Sequence, residues 1–508
     1  MEKGNRSKNA KRNMASGIAN KLLMIILPFI IRTVIIRRLG ADYAGLGGLF
    51  TSILQVLNMA ELGFSSAIVF SLYKPVAEGN QEEICSLLAY YKKVYVIVGT
   101  VITVAGLLVL PFLPFLTKGE CPEDLNIYVI YLVYLASTSI SYFAYAYKSV
   151  ILTATQRQDI ISNIDSVICA VKNVIQIIVL WRWGNYYYYI FWNLVFTVVN
   201  NIVIAWVTKK KYPEYYPKGR ISEQKSKEIT TQIKGIAIGK ISLVARNAFD
   251  NIVLSIFCGL IDVTIYSNYY YIFSSILGLY TVLIQALSAG IGNSIAVEEK
   301  EKNYYDFKRL YCTFSALGGF CTICFFCLYQ PFMKLWVGEE LTASNTIMIL
   351  FCVYFYLTQM GQVRSMYANA AGLWWEFRKL AIGEMILNLT MNFVLGYFYG
   401  MTGILFTTIG TVFVFSIIGN TVITFQKYFE KKSTEFWTDS LVYLVITVIA
   451  ALLTYKIFGH FVINNWFGFM GGGAVCALCA SVFMVLPMII LRKYRTYLIS
   501  VIRNLVRK

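Results

Sequence analysis

The sequence predicts an all-α, polytopic membrane protein with about 14 transmembrane helices. Three observations carry this. Of 508 residues, 57% are hydrophobic and only 14% charged, where a soluble chain carries about 25% charged residues. Apolar stretches recur at the length of about 20 residues that a hydrocarbon core of about 30 Å requires. The loops between them alternate sharply in Lys and Arg content.

Taken in order, the spans are expected near 14–36, 45–72, 94–116, 127–147, 161–181, 186–207, 235–258, 263–291, 308–329, 344–366, 379–399, 401–424, 438–457 and 468–491. The first follows Lys3, Arg6, Lys8, Lys11 and Arg12 and resembles a signal peptide. Its apolar run is long and no small-residue cleavage site follows, so it reads as a retained span. Of the 45 Lys and Arg, roughly 34 fall on the termini and even-numbered loops and roughly 6 on the odd loops, which puts both termini in the cytosol. The net charge of +18 is therefore a topology signal that also attracts anionic lipid headgroups, and nucleic acid is not an expected partner.

The longest polar stretch, 208–234, contains Lys209, Lys210, Lys211, Lys218, Arg220, Lys225 and Lys227. It divides the chain into six spans before and eight after. A faint echo links the halves: Gly17-Ile18-Ala19 leads to Lys21, and Gly235-Ile236-Ala237 leads to Lys240; Thr51-Ser52-Ile53-Leu54 is matched by Ser274-Ser275-Ile276-Leu277. The expected organisation is a six-helix lobe over 1–207, a basic cytosolic linker over 208–234, a second six-helix lobe over 235–424, two appended spans within 425–491, and a basic tail over 492–508. The lobes are expected to face each other across a central cleft. In the tail, Leu491, Leu498, Val501, Ile502 and Leu505 share one helical face while Arg492, Arg495, Arg503 and Lys508 fall mainly elsewhere, a pattern that suits an anchor on the inner membrane surface.

Charges within spans cost about 2.5–3.5 kcal/mol at the helix centre on insertion scales, so each calls for a reason. Span one carries Lys21 and Arg32, eleven residues and about three turns apart on one face, roughly 16 Å along the axis. This is either a cationic stripe or two side chains snorkelling to opposite interfaces; both readings stay open. Span seven holds Lys240, Arg246 and Asp250, with the last two spaced to pair within the helix. Span five has Asp165 and Lys172, span two has Glu61, and span eleven has Glu384. Glu61, Asp250 and Asp165 are candidates for ion coupling or charge balance. The deeper cations concentrate on spans one and seven, which suits an anionic ligand such as phosphate or pyrophosphate. Tyrosine runs at 186–189 and 269–271 fit interface anchors.

Other chemistries lack their residues. His460 is the only histidine and falls in an outer loop, so a metal centre and His-based acid–base catalysis are not expected. Cys321, Cys324 and Cys327 step by three within an apolar segment, a packing pattern. No Walker A loop is present, so no nucleotide cofactor is expected. A polysaccharide polymerase or ligase needs a sizeable outer loop, but those over 117–126, 330–344 and 459–468 are short. The chain thus reads as a transporter rather than an enzyme.

Certain short motifs extend the reading. Arg38-Leu39-Gly40 is followed by Gly45-Leu46, then Glu61-Leu62-Gly63-Phe64, then Leu72-Tyr73-Lys74-Pro75 with Ala77. With the topology, these resemble the bacterial polysaccharide-repeat-unit flippases of the multidrug/oligosaccharidyl-lipid/polysaccharide (MOP) exporter superfamily. The resemblance implies a V-shaped pair of lobes around a cationic cavity. It implies alternating-access transfer of undecaprenyl-pyrophosphate-linked oligosaccharides to the outer leaflet of the bacterial inner membrane, for capsule, O-antigen or exopolysaccharide assembly beside a polysaccharide polymerase. Arg32 matches the expected pyrophosphate ligand by place and type; Lys21, Lys240 and Arg246 complete the candidate set. The alternatives within the superfamily are a lipid II flippase and a cation-coupled drug antiporter. The antiporter would favour acids over bases in its cleft.

Overall fold

A computed structural model describes residues 3–61, 64–461 and 463–506; side chains at 1–11, 14–15, 60, 66, 232, 234–240, 243, 286, 289 and 501–508 lie outside that description. The described residues contain helices and turns and no strand. The chain divides into two compact units between Thr264 and Ile265.

Unit 1 begins with α1 (Lys3–Arg38), then α2 (Ala41–Leu57), a 3-10 turn at Asn58–Glu61, and α3 (Phe64–Glu78). There follow α4 (Gln81–Val109), the short α5 (Leu113–Leu116), α6 (Ile127–Phe143), a 3-10 turn at Ala146–Lys148, α7 (Ser149–Ala154), α8 (Gln158–Trp183), α9 (Tyr186–Lys211), α10 (Glu223–Phe257) and the start of α11 (Leu260–Val297). Asparagine caps set several starts: Asn80, Asn126 and Asn185 accept from the first-turn amides of α4, α6 and α9. Helix α1 lies along α8, where the Asn20 amide donates to the Ser162 carbonyl at 3.1 Å and to Ser166 Oγ at 3.0 Å. Lipid supplies no hydrophobic force between helices, so such polar contacts and close approaches decide the pairing. Gly45 makes one such close approach: a Cβ there would sit 2.1 Å from the Leu260 carbonyl oxygen.

Unit 2 continues through α11 to α12 (Lys300–Val337), α13 (Asn345–Ala370) and α14 (Trp374–Thr411). It ends with a π-helical stretch at Val412–Gly419, α15 (Asn420–Thr424), a second π turn at Phe425–Phe429, α16 (Thr434–Phe458), α17 (Trp466–Ile490) and α18 (Arg492–Val506). Its core is aromatic: Phe307 stacks on Tyr311 at 5.8 Å, and Tyr311 packs on Phe436 at 4.8 Å. At Gly400 the backbone turns to φ 54°, ψ −135°, the left-handed region that glycine tolerates. Here α14 folds back on itself, since Asn388 donates to Thr408 and Thr411 and Gly403 abuts Leu395. Helix α18 docks through its tyrosines: Tyr494 and Tyr497 are buried, and Tyr494 Oη donates to Asp439 at 2.9 Å.

Nine described helices are long and apolar enough to cross a membrane, or eleven with two bent pairs. One of these, Trp374–Phe429, is a single run by length but contains the reversal at Gly400 and so supplies two spans. Each of the fourteen expected apolar stretches coincides with a helix or broken helix pair. The protein is a multi-pass membrane protein. Helix α10 starts at Glu223, twelve residues before the expected span, because Ser222 caps it by accepting from the Lys225 amide at 3.3 Å. The basic segment expected as a joint therefore lies inside unit 1. Its second half is helical, and Lys225 ion-pairs with Glu83 of α4.

Candidate functional site: charged side chains within the spans

All seven sequence-predicted site residues fall in unit 1. Arg32 is half-buried on α1, where its Nη2 donates to the Thr264 carbonyl at 3.3 Å. The tyrosines Tyr186 and Tyr189 of α9 lie close enough to feel its charge. Thr264 is itself held by its Oγ1 donating to the Ala41 carbonyl at 2.6 Å. Lys21, three turns earlier, is exposed.

Helix α10 packs on α2, the 3-10 turn and α3. Its Asp250 is fully buried, and Arg246, one turn away, is half-buried. Asn251 donates to Ser52 Oγ at 2.9 Å and fixes the rotation of α10 against α2. The Lys240 side chain lies outside the described residues.

The remaining acids are hydrogen-bonded rather than exposed. Glu61 ends the 3-10 turn that interrupts α2 and α3, and accepts from Tyr95 Oη at 3.1 Å. Tyr95 packs edge-on against Tyr91 at 4.5 Å and beside Tyr142 at 5.4 Å, and Tyr142 donates to Asn58 at 3.1 Å. The carboxylate thus sits in a tyrosine cage. Asp165 on α8 accepts from Asn200 at 3.0 Å, while Lys172 donates to Asn193 at 3.1 Å. Each is served by an amide of α9 and not by the other.

The end of unit 1 opposite the basic segment is acidic. Tyr43 donates to Asp124, and the Leu260 amide donates to Glu120 Oε2 at 2.8 Å. Burial, and then the charge of Glu120, hold the Asp42 carboxyl above its ordinary range. Burial, followed by the bond to Asp124, does the same for the Tyr43 hydroxyl. Among the described residues, no group of three or more His, Cys, Asp or Glu side chains is arranged to hold a metal ion.

Unit 2 contains a buried cation that the sequence reading passed over. Arg364 on α13 is 3% exposed. Its Nη1 donates to the carbonyls of Ser416 and Ile417 (3.3 Å to the latter) and to Thr421 Oγ1 at 3.2 Å, and its Nη2 donates to Ser365 Oγ at 3.1 Å. Both carbonyls belong to the π-helical stretch, where the wider turn displaces them from α-helical partners. Ser416 Oγ in turn donates to Glu384 Oε2 at 2.9 Å. The signal available in the sequence was the same one that singled out Arg32: a lone Arg inside an apolar run, Phe351 to Tyr367.

These features define a class: an all-helical, multi-pass membrane protein with charged side chains carried inside its spans. The fold is that of MOP-type transporters. The chain superposes on the lipid II flippase MurJ in an inward closed conformation with a TM-score of 0.67 at 16% identity, covering 94% of this chain and 99% of that one. An inward-facing multidrug resistance MATE family transporter of the MOP superfamily gives 0.63 at 14% identity, over 82% of this chain and 100% of the other. A Vibrio cholerae MATE transporter gives 0.58 at 15% identity, over 85% and 99%. No curated protein matches the sequence. Residues 10–288 match the model of the family described as polysaccharide biosynthesis protein, and the chain belongs to that family.

Proposed function

We propose that the protein is a flippase for undecaprenyl-pyrophosphate-linked oligosaccharide repeat units. It works by alternating access between two six-helix lobes, in the bacterial inner membrane, with both termini cytosolic. The observation that carries this reading is Arg32: a half-buried guanidinium on the first span of a polysaccharide-biosynthesis family transporter, resting on a backbone carbonyl.

The chemistry follows from that contact. The carbonyl at 3.3 Å is a neutral acceptor, so its single bond to the guanidinium is worth about 1.5–3 kcal/mol, whereas a pyrophosphate brings ionised oxygens that add direct charge attraction and a second bond. A pyrophosphate arriving beside α1 therefore wins the guanidinium from Thr264, and the planar fork engages two oxygens at once. Lys21, Lys240 and Arg246 are assigned as further cations along the path, with Glu61, Asp250 and Asp165 as charge balance or coupling groups. Moving a unit charge across 100 mV is worth about 2.3 kcal/mol, so a pyrophosphate dianion leaving a negative interior gains roughly twice that. The membrane potential suffices as the driving force.

The test is transfer of a fluorescent polyprenyl-pyrophosphate oligosaccharide across proteoliposomes under an imposed potential. Arg32→Ala abolishes potential-dependent transfer while leaving the protein folded and inserted. Normal transfer by that variant removes Arg32 from the site. Transfer of lipid II but of no oligosaccharide conjugate reassigns the substrate, and extrusion of a cationic dye instead reassigns the class.

A further inference from the structure

At the basic end of unit 1, three lysines from three separate elements converge. Helix α6 stops at Phe143, and Tyr145 takes up φ 64°, ψ 12°, left-handed values that a residue with a side chain rarely adopts. That turn redirects the chain by 47° into the 3-10 segment Ala146–Lys148, which packs against both α4 and α9. Lys148 is brought inward as a result, and the charges that act on it are the ammonium groups of Lys209 on α9 and Lys92 on α4. Among the described residues, none of the three lies within 4 Å of a carboxylate, although twelve ion pairs form elsewhere.

The turn sets Lys148 between the basic faces of α4 and α9, and cations gathered there call for an anion to offset them. The surroundings say which kind. Phe143, Tyr145, Val96 and Trp206 are exposed around the cluster. Lys148 Nζ lies 5.1 Å from the centre of the Tyr145 ring, and Lys210 Nζ lies 5.4 Å from that of Trp206. Aromatic and aliphatic side chains beside ammonium groups match a molecule with a phosphate head and hydrocarbon tails.

We propose that Lys92, Lys148 and Lys209 form a binding site for the phosphate of an anionic glycerophospholipid, with the acyl chains lying along the exposed faces of α4, α6 and α9. The site is separate from the Arg32 region and does not depend on the flippase reading.

The experiment is native mass spectrometry of the full-length protein released from detergent containing phosphatidylglycerol or phosphatidylcholine. The wild type retains phosphatidylglycerol in preference to phosphatidylcholine. Each lysine contributes roughly 1 kcal/mol toward an anionic headgroup, about fivefold in affinity, so K92Q/K148Q/K209Q weakens retention about a hundredfold. The control K300Q/K302Q/K431Q, which removes the same charge from ion-paired lysines of unit 2, retains lipid as the wild type does, and so does K92R/K148R/K209R. Should the triple Gln variant not fold, K209Q alone, at the exposed end of α9, shows about a fivefold loss. Undiminished phosphatidylglycerol retention by the Gln variants overturns the proposal. So does a lysine-dependent gain in melting temperature with inorganic pyrophosphate in lipid-free detergent that equals the gain with phosphatidylglycerol, since the ligand is then a soluble anion.

Discussion

Replacing Arg364 with Met tests what a buried cation does in this fold. Met preserves most of the side-chain length and removes the charge together with the bonds to Ser416, Ile417, Thr421 and Ser365. Hydrogen bonds from a charged donor are worth about 1.5–3 kcal/mol each, and the two carbonyls left without Arg364 each lose a partner in a dry environment. Two such losses amount to about 3–6 kcal/mol. Relief from desolvating the guanidinium opposes this, because well-packed apolar replacements of buried ions recover about 1–4 kcal/mol. The net expectation is a loss of about 2–3 kcal/mol, or roughly 4–12 °C for a unit of this size. The assay is thermal unfolding of the purified protein in detergent, followed by tryptophan fluorescence, beside R364K. Lys keeps the charge but loses the fork, so it is expected to fall as far as Met or further. An R364M variant that melts with the wild type would refute the reasoning. The Arg364 bonds would then do no more than offset their own burial, and the π-helical carbonyls would be satisfied without them.

Two further outcomes follow from unit 1. Asp42 binds its proton more tightly in the folded protein than in the unfolded chain, so its contribution is fully present below the ordinary aspartate range and is lost as pH rises through the folded value. Asp42→Asn and the wild type should therefore melt together at about pH 2.5, below the ordinary aspartate value, with the Asn variant the more stable of the two as the pH is raised to about 7; melting curves across that range decide it. Gly45→Ala places a methyl 2.1 Å from the Leu260 carbonyl oxygen and should destabilise by about 1–3 kcal/mol through overpacking, seen as a lower melting temperature and lower yield; wild-type stability would mean that α2 and α11 separate at no cost.

The helices were legible because the hydrocarbon thickness fixes their length whatever their neighbours. The reversal at Gly400 was legible for the same reason, since the apolar run is twice too long for one crossing and a glycine stands at its middle. Arg32, Glu61, Asp165, Arg246 and Asp250 stood out because charge in an apolar run is costly wherever it points. Their partners did not. Asn200 for Asp165, Tyr95 for Glu61 and Asn193 for Lys172 are set by which faces of α4, α8 and α9 meet, and composition carries no record of rotation about a helix axis. The packing of α10 on α2 and α3 was hidden likewise, because the basic stretch marks a change in polarity and not a change in contacts. Arg364 carried the same signal as Arg32, but its partners were hidden more deeply: they are carbonyls displaced by π-helical geometry, and the side chains of Val412 to Gly419 give no hint of it.

That π-helical stretch has a mechanical meaning. Relative to an α-helix, a π turn stores an inserted residue as slack in the coil. Taking up one residue of slack rotates the preceding segment by about 100° and draws it in by about 1.5 Å, one step of helical register. Met401 to Thr411 is that segment, and such a step would carry Thr408 and Thr411 away from Asn388 and present other side chains in their place. Arg364 ties α13 to the Ser416 and Ile417 carbonyls, so any such step would first have to break those bonds.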